Sequence, residues 1–226
     1  MLDENQFGFR PGRSTTDAIL EFTQRINIAF ENKESAIGLF CDLSKAFDTI
    51  EHTILLKKLE IYGIRGIALK WFESYLTERK FFVQINEMKS DLQNISFGVP
   101  QGSILGPLLF IIYINDLPNS LEYCKPTMFA DDTNLFKSSN NLRCVFSEMN
   151  IDANNLFEWF NANKLSLNTS KTVFVIFSKS KSQNINGFTL KINGSEIDRQ
   201  DKVKFLGMHV DSKLDWHHHI KNFSLK

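Results

Sequence analysis

Met128-Phe129-Ala130-Asp131-Asp132-Thr133-Asn134-Leu135-Phe136 sets two adjacent carboxylates between two short apolar runs. Strand-sized apolar segments on either side of a polar tip predict a tight hairpin. Neighbouring aspartates repel one another and aspartate is disfavoured in strands, so something must offset the cost. A divalent cation is the plainest candidate, because hard cations such as Mg²⁺ take oxygen ligands. A surface turn is the competing reading, since Asp and Asn are common turn residues. The choice depends on whether the rest of the chain supplies the other parts of a metal-dependent site.

One such part lies upstream. Ala36 to Cys41 is a short apolar run that suits a buried strand, and it ends at Asp42. A carboxylate closing a buried strand needs a partner or a metal. Asp48-Thr49-Ile50-Glu51 has the form of a capping box for a helix to about Glu60, which assigns Asp48 to structure and leaves Asp42 for chemistry. If the strands closed by Asp42 and by Asp131-Asp132 are neighbours in one sheet, their carboxylates meet at one edge. That arrangement suits a two-metal site, with ions roughly 3.5–4 Å apart clamping the attacking and leaving oxygens of a phosphoryl transfer.

Other segments carry weaker signals. Asn5-Gln-Phe-Gly-Phe-Arg-Pro-Gly-Arg13 reads as a loop from which Arg10 and Arg13 project, either toward phosphate oxygens or simply into solvent. Ser14 and Asp17 form a capping box for an amphipathic helix to about residue 33, with Ile19, Phe22, Ile26 and Phe30 on its core face. A helix from about Ile67 to Leu76 is expected to bury Trp71 and Tyr75. Lys80 to Ile85 and Leu92 to Phe97 read as two strands joined at Asn86-Glu87-Met88-Lys89. Phe97-Gly98-Val99-Pro100-Gln101-Gly102-Ser103 leads into an apolar helix that Ser103 caps, with Pro107 in its opening turn. Its glycines let a substrate approach the backbone, with Gln101 beside that gap; a plain turn into a core helix is the alternative.

Residues 141–163 form a long amphipathic helix packed through Phe146, Met149, Leu156, Trp159 and Phe160, and Thr172 to Phe177 a strand with Lys171 just before it. Asn193-Gly194 marks a hairpin, and Val203 to Val210 reads as a further strand. The run His217-His218-His219 offers metal-ligand types, but successive helix positions share no face, so a solvated run is expected.

Composition sets the outer bounds. A chain of 226 residues with 42% hydrophobic content suits one large domain or two small subdomains, and 21 phenylalanines predict a ring-rich core. Basic and acidic residues balance at 26 each, but unevenly: residues 1–163 carry a net −6 and residues 164–226 a net +6. The asymmetry suits an acidic metal site beside a basic strip that tracks a phosphate backbone, or a solvated tail. Three scattered cysteines, Cys41, Cys124 and Cys144, with no Cys-x-x-Cys pair, indicate neither a disulfide framework nor a cysteine zinc site. The polar N-terminus lacks a signal-peptide core, and Ile104 to Ile114 is too short to span a bilayer. A soluble, intracellular protein is expected.

Taken together, these segments resemble the catalytic domain of a reverse transcriptase of the non-LTR (LINE-type) retrotransposon kind. The match is carried, in the family's order, by Phe7-Gly8-Phe9-Arg10-Pro11-Gly12-Arg13-Ser14, Asp42-Leu43-Ser44-Lys45-Ala46-Phe47-Asp48, Gly98-Val99-Pro100-Gln101-Gly102-Ser103, Phe129-Ala130-Asp131-Asp132, Leu165-Ser166-Leu167-Asn168-Thr169-Ser170-Lys171-Thr172 and Phe205-Leu206-Gly207.

The resemblance implies an α+β fold: a right-hand polymerase palm, with an antiparallel sheet backed by helices, partial fingers and no thumb. Residues 1–35 and 65–97 are the expected fingers, 36–64 and 98–210 the palm, with a primer-grip hairpin near 203–210, and 211–226 the start of a thumb connection. It implies RNA-directed DNA synthesis from dNTPs on an RNA template and DNA primer. Two Mg²⁺ ions, replaceable by Mn²⁺, are held by Asp42, Asp131, Asp132 and the carbonyl of Leu43. Phe47 falls at the gate that excludes a 2′-hydroxyl, and Gln101 and Gly102 lie beside the incoming nucleotide. Arg10 and Arg13 lie near phosphates or template, Lys171 donates a proton to pyrophosphate, and Phe205, Leu206 and Gly207 form the primer grip. A fragment is expected, without upstream endonuclease, the first fingers segments or the thumb, acting in the nucleus. The alternative is a catalytically silent retroelement remnant that binds nucleic acid; a two-metal nuclease or phosphatase gives Phe47 and Gln101 no role.

Overall fold

The computed structural model describes residues 1–77, 79–100, 102–180 and 187–216. Ser14 and Asp17 do form a reciprocal capping box, which starts α1 (Thr15–Glu31) and buries Ile19, Phe22, Ile26 and Phe30. β1 (Ser35–Cys41) follows, buried at every position. A 3₁₀ turn, Ala46–Asp48, leads to α2 (His52–Ile61) and then α3 (Gly66–Thr77). Four two-residue strands come next, β2 (Lys80–Phe81), β3 (Gln84–Ile85), β4 (Met88–Lys89) and β5 (Gln93–Asn94), nested as β3 on β4 within β2 on β5. After α4 (Leu105–Tyr113) and the 3₁₀ turn Leu117–Ser120, β6 (Lys125–Phe129) and β7 (Asp132–Ser139) make the expected hairpin. The chain continues through α5 (Leu142–Ala162), β8 (Val173–Phe177), the ribbon β9 (Lys191–Ile192) with β10 (Ser195–Glu196), β11 (Asp198–Gln200), and the hairpin β12 (Lys202–Phe205) with β13 (Met208–Asp211).

Five strands form the central sheet in the order β11-β8-β1-β7-β6. It is antiparallel except at one edge, where β11 runs parallel to β8. Alternation along β1 divides the core: Ile37, Leu39 and Cys41 pack with α2, α4 and α5, whereas Ala36 and Phe40 pack with α1 and the β12–β13 hairpin. Gly38 lies in the middle of the second face, where a Cβ would fall 2.9 Å from ring atoms of Phe22 and Phe177. Its bare backbone admits the Phe22 ring, which sits edge-on to Phe40, Phe136, Phe177 and Phe205 at centroid distances of 5.4 to 6.1 Å.

Several expectations need correction. The cap of α2 is Glu51, whose carboxylate accepts the Thr53 N–H, and not Asp48, which ends the preceding 3₁₀ turn. Trp71 is 53% exposed and stacks on Tyr75, which is only half-buried against the core; Leu76 is the buried residue of α3. The segment 80–97 is a hairpin, but its pairing breaks into four short strands with every strand residue exposed. Val203 to Val210 is not one strand: Leu206 (φ 46°) and Gly207 (φ 90°) fold it back on itself. The segment His217-His218-His219 and residues 217–226 of the expected thumb connection lie outside the described residues. Among the described residues no helix is long and apolar enough to cross a membrane.

Candidate active site

The β1–β7 ladder ends with Cys41 opposite Thr133, and the β6–β7 ladder ends with Phe129 opposite Asp132. One further residue of the first register sets Asp42 opposite Asp132. Both follow the parity of Phe40 and Phe136, so the two carboxylates leave the same face of the sheet. Asp131 occupies the two-residue turn between β6 and β7, after Ala130 in the left-handed region at φ 53°. The Asp132 carboxyl titrates above the ordinary aspartate value, through its partial desolvation and then through the charges of Asp131 and Asp42. Among the described residues no ion pair relieves this acidity. Nor are three His, Cys, Asp or Glu side chains already drawn together there as a metal-binding cluster. The donor chemistry, carboxylates alone at one sheet edge, fits a hard cation.

The backbone of Asp42 is clamped by the segment before β8. Its carbonyl accepts the Asn168 N–H at 2.8 Å, its N–H donates to Thr172 Oγ1 at 3.3 Å, and Ser44 N–H donates to the Ser166 carbonyl at 2.9 Å. Leu43 bridges Leu167 between them. Thr172 is fully buried and donates its own hydroxyl to the Asn168 carbonyl at 2.9 Å. The sequence motif Leu165 to Thr172 suggests a role only for Lys171; the part of Asn168 and Thr172 in holding Asp42 in place shows only in the structure. Their spacing of four residues, both of types that bond backbone locally, was the available signal. Lys171 itself is exposed, on the rim next to Thr172.

Phe47 stacks on Phe110 at 4.2 Å and stands edge-on to Phe9 at 6.2 Å. Its carbonyl accepts the Val99 N–H at 3.0 Å, which ties the loop after Asp42 to the glycine-rich segment. Gly98 reinforces the joint, donating to Ile50 at 2.8 Å while its carbonyl meets His52 Nε2 at 2.7 Å. Ser103 closes the segment: its hydroxyl donates to Pro100 at 2.8 Å and accepts the Gly106 N–H at 2.9 Å, although the cap position of α4 falls one residue later, on Ile104. Gly102 is exposed, with nothing within 4 Å of the position a Cβ would take; Gln101 lies outside the described residues.

The two arginines of the N-terminal loop differ. Arg10 does not project freely: Nη1 donates to the carbonyls of Asp3 at 2.6 Å and Gln6 at 3.1 Å. Arg13 is exposed and lies over the Phe7 ring at 4.9 Å. Behind them Asn5 to Phe7 pairs along Met128, on the outer side of β6. Phe205 is buried against Phe40, two residues before Asp42, so only Leu206 and Gly207 form the tip of the β12–β13 hairpin.

The family model for reverse transcriptase (RNA-dependent DNA polymerase) matches residues 1–210. The chain belongs to the reverse transcriptase family. Curated relatives include a probable RNA-directed DNA polymerase from transposon BS of Drosophila melanogaster, 30% identical over 98% of this chain. The RNA-directed DNA polymerase from mobile element jockey of the same organism is 31% identical over 96%. This reverse transcriptase chain spans 25% and 24% of their lengths. Solved structures with the same fold include telomerase from Candida albicans in complex with a telomeric RNA fragment, with a TM-score of 0.60 at 14% identity. That alignment covers 89% of this chain and 33% of the telomerase. An apo telomerase from Candida tropicalis gives a TM-score of 0.61 at 12% identity, covering 93% of this chain and 40% of that one. The α+β sheet with its backing helices is therefore a reverse transcriptase palm.

In this reverse transcriptase palm the raised Asp132 carboxyl has a stability consequence. A carboxyl lifted above its unfolded value destabilises the folded protein wherever it is ionised, and costs nothing at a pH where both states are protonated. Asp132→Asn is expected to raise the melting temperature in chelator at about pH 7 by roughly 1–2 °C, equivalent to about 0.5 kcal/mol after solvent screening. The gain should vanish at about pH 3. A thermal melt of the two proteins at both pH values checks this; a loss of stability near neutrality contradicts it.

Proposed function

We propose that the chain supplies the catalytic centre of an RNA-directed DNA polymerase, adding deoxynucleotides from dNTPs to the 3′-hydroxyl of a DNA primer on an RNA template. The observation that carries this is the register that sets Asp42 opposite Asp132, with Asp131 in the adjoining turn. Asp42, Asp131, Asp132 and the Leu43 carbonyl would hold two Mg²⁺ ions, or Mn²⁺, which when bound supply activation of the primer hydroxyl and neutralise the leaving pyrophosphate. Both polar groups of the Asp42 backbone point to the β8 side, and an extended chain turns the next carbonyl the other way. In this reading the Leu43 carbonyl faces the Asp131-Asp132 turn as the further ligand.

The remaining residues take roles of position and shape. Phe47, fixed by Phe110 and Phe9, blocks the space of a 2′-hydroxyl under the incoming sugar. Gly102 keeps the backbone open there, and Gln101 is assigned to the same nucleotide-binding segment. Lys171, on the rim beside the clamp on Asp42, donates a proton to pyrophosphate. Arg10 shapes the loop from which Arg13 reaches phosphate oxygens. Leu206 and Gly207, carried on buried Phe205, set the primer end. We assign residues 36–64 and 98–210 to the palm, 1–35 and 65–97 to fingers, and 211–226 to the path toward a thumb in a longer polypeptide that acts in the nucleus.

Primer extension on an annealed RNA template and DNA primer, with dNTPs and Mg²⁺ or Mn²⁺, tests the proposal. Extension is expected, and Phe47→Ala should raise the use of ribonucleotides relative to deoxynucleotides about tenfold or more. Salt-sensitive binding of the template–primer with no extension by the unmodified chain is the outcome of a silent nucleic-acid-binding remnant, and contradicts it.

A further inference from the structure

We propose that Gln6 is a positioning residue for Asp131, fixing through its side-chain oxygen the left-handed peptide from which that carboxylate projects. The proposal rests on the reading of Asp131 as a catalytic carboxylate. Gln6 is 1% exposed, and its Oε1 accepts two backbone N–H groups, that of Gly8 at 2.7 Å and that of Ala130 at 3.0 Å. Ala130 is itself buried, so its N–H has to find a partner inside the protein. It also sits at φ 53°, a conformation that residues with a side chain seldom take, and it immediately precedes Asp131. A turn in that state persists only where its surroundings over-determine it.

Three features separate this role from simple anchoring of the N-terminus. First, the backbone already anchors the segment: Phe7 N–H donates to Met128 at 2.8 Å, Met128 N–H donates to Asn5 at 2.8 Å, and Arg10 holds the loop from its other end. The Gln6 side chain adds a bond that reaches the turn. Second, Gly8 is built for the same approach, since a Cβ there would lie 2.3 Å from the Ala130 nitrogen. Third, Gln6 Nε2 is buried with no hydrogen-bond partner among the described residues, so the amide is kept for its acceptor at the expense of its donor. A carboxylate would accept the same two bonds without an orphaned donor, but would add a negative charge beside Asp131 and Asp132. A neutral acceptor meets both demands.

The test compares Gln6→Met, which keeps size and loses the acceptor, with Gln6→Glu, which keeps the acceptor. Amide exchange of Ala130, followed by NMR in the cation-free protein, reads the turn without any activity. Protection is expected in the parent and in Gln6→Glu, with exchange accelerated about 100-fold or more in Gln6→Met while amides of the central sheet stay protected. Mn²⁺ affinity, read by paramagnetic resonance, should fall about fivefold or more in Gln6→Met. Its kcat for primer extension should fall at least about tenfold, with template–primer affinity within twofold of the parent. Unchanged Ala130 exchange in Gln6→Met, lost protection in a folded Gln6→Glu, or Mn²⁺ affinity within twofold of the parent overturns the proposal. If Gln6→Met does not fold, protection of Ala130 in Gln6→Glu decides it. A parent protein that neither binds Mn²⁺ nor extends primers overturns instead the reading of Asp131, whatever the exchange data show.

Discussion

Asp131→Ala is expected to lower primer extension by about a thousandfold or more, while the melting temperature stays within roughly 2 °C of the parent. The two halves of that result have separate causes. Asp131 contributes little to folding: among the described residues no hydrogen bond or ion pair engages its carboxylate, and its charge raises the cost of ionising Asp132. Its removal relieves repulsion and opens no core cavity. The catalytic half follows from the proposed chemistry, in which charge develops on two oxygens at once and a lost carboxylate leaves the counter-charge unplaced. Asp42→Asn should act alike in extension. Steady-state extension and a thermal melt on the same preparation check both halves; an Asp131→Ala protein that keeps a tenth of the parent rate contradicts the assignment.

Gly98→Ala should be the most damaging single change away from the carboxylates. Gly98 holds φ 83°, and an added Cβ would lie 2.8 Å from the Asp48 carbonyl oxygen and 2.9 Å from Asp48 Cα. Both obstacles are backbone, so no side chain can swing aside. The left-handed state costs a residue with a Cβ about 1–2 kcal/mol, and forced overpacking adds about 1–3 kcal/mol. A loss of roughly 2–4 kcal/mol is expected, which for a chain of this size lowers the melting temperature by roughly 5–15 °C. The damage reaches the site because the same joint, through Val99 N–H and Phe47 O at 3.0 Å, sets the ring of Phe47. Calorimetric melting measures the first effect. A drop under about 2 °C shows that the joint between the two segments yields, and that Gly98 is not its constraint.

The parts of this fold that could be read in the sequence are those with one strong periodicity or one unmistakable turn. α1 with its Ser14 box, the buried β1 and the Asn193-Gly194 hairpin all follow from local chemistry. So does the position of Asp42 and Asp131 at the ends of apolar strands, and their resemblance to the family's carboxylates led to the palm. What escaped depends on partners distant in the chain. Two acidic candidates for the α2 cap lay three residues apart, and the 3₁₀ turn at Ala46–Asp48 decided for Glu51. Trp71 looked like core because helical periodicity reports a stripe, not what covers it. The residue pattern hid the fold-back at Leu206, because leucine rarely adopts a left-handed backbone, whereas the family resemblance implied a hairpin near 203–210. Asp152 of α5 was passed over entirely. It is fully buried and accepts the N–H groups of Glu122, Tyr123 and Cys124 at 2.6 to 2.9 Å, which fixes the entry to β6. Gln6 gave no periodic signal at all, since its partner Ala130 lies 124 residues away.

In the proposed mechanism, segments 42–43 and 131–132 hold divalent ions between them. Fe²⁺ in place of Mg²⁺, with ascorbate and peroxide, cuts a polypeptide only near the bound ion, and the fragments can be sized. Cuts near Asp42 and near Asp131 in the same protein are expected, both suppressed by excess Mg²⁺ and both lost in Asp42→Asn. Cleavage confined to one segment, or cleavage at both that persists in Asp42→Asn, contradicts a shared site.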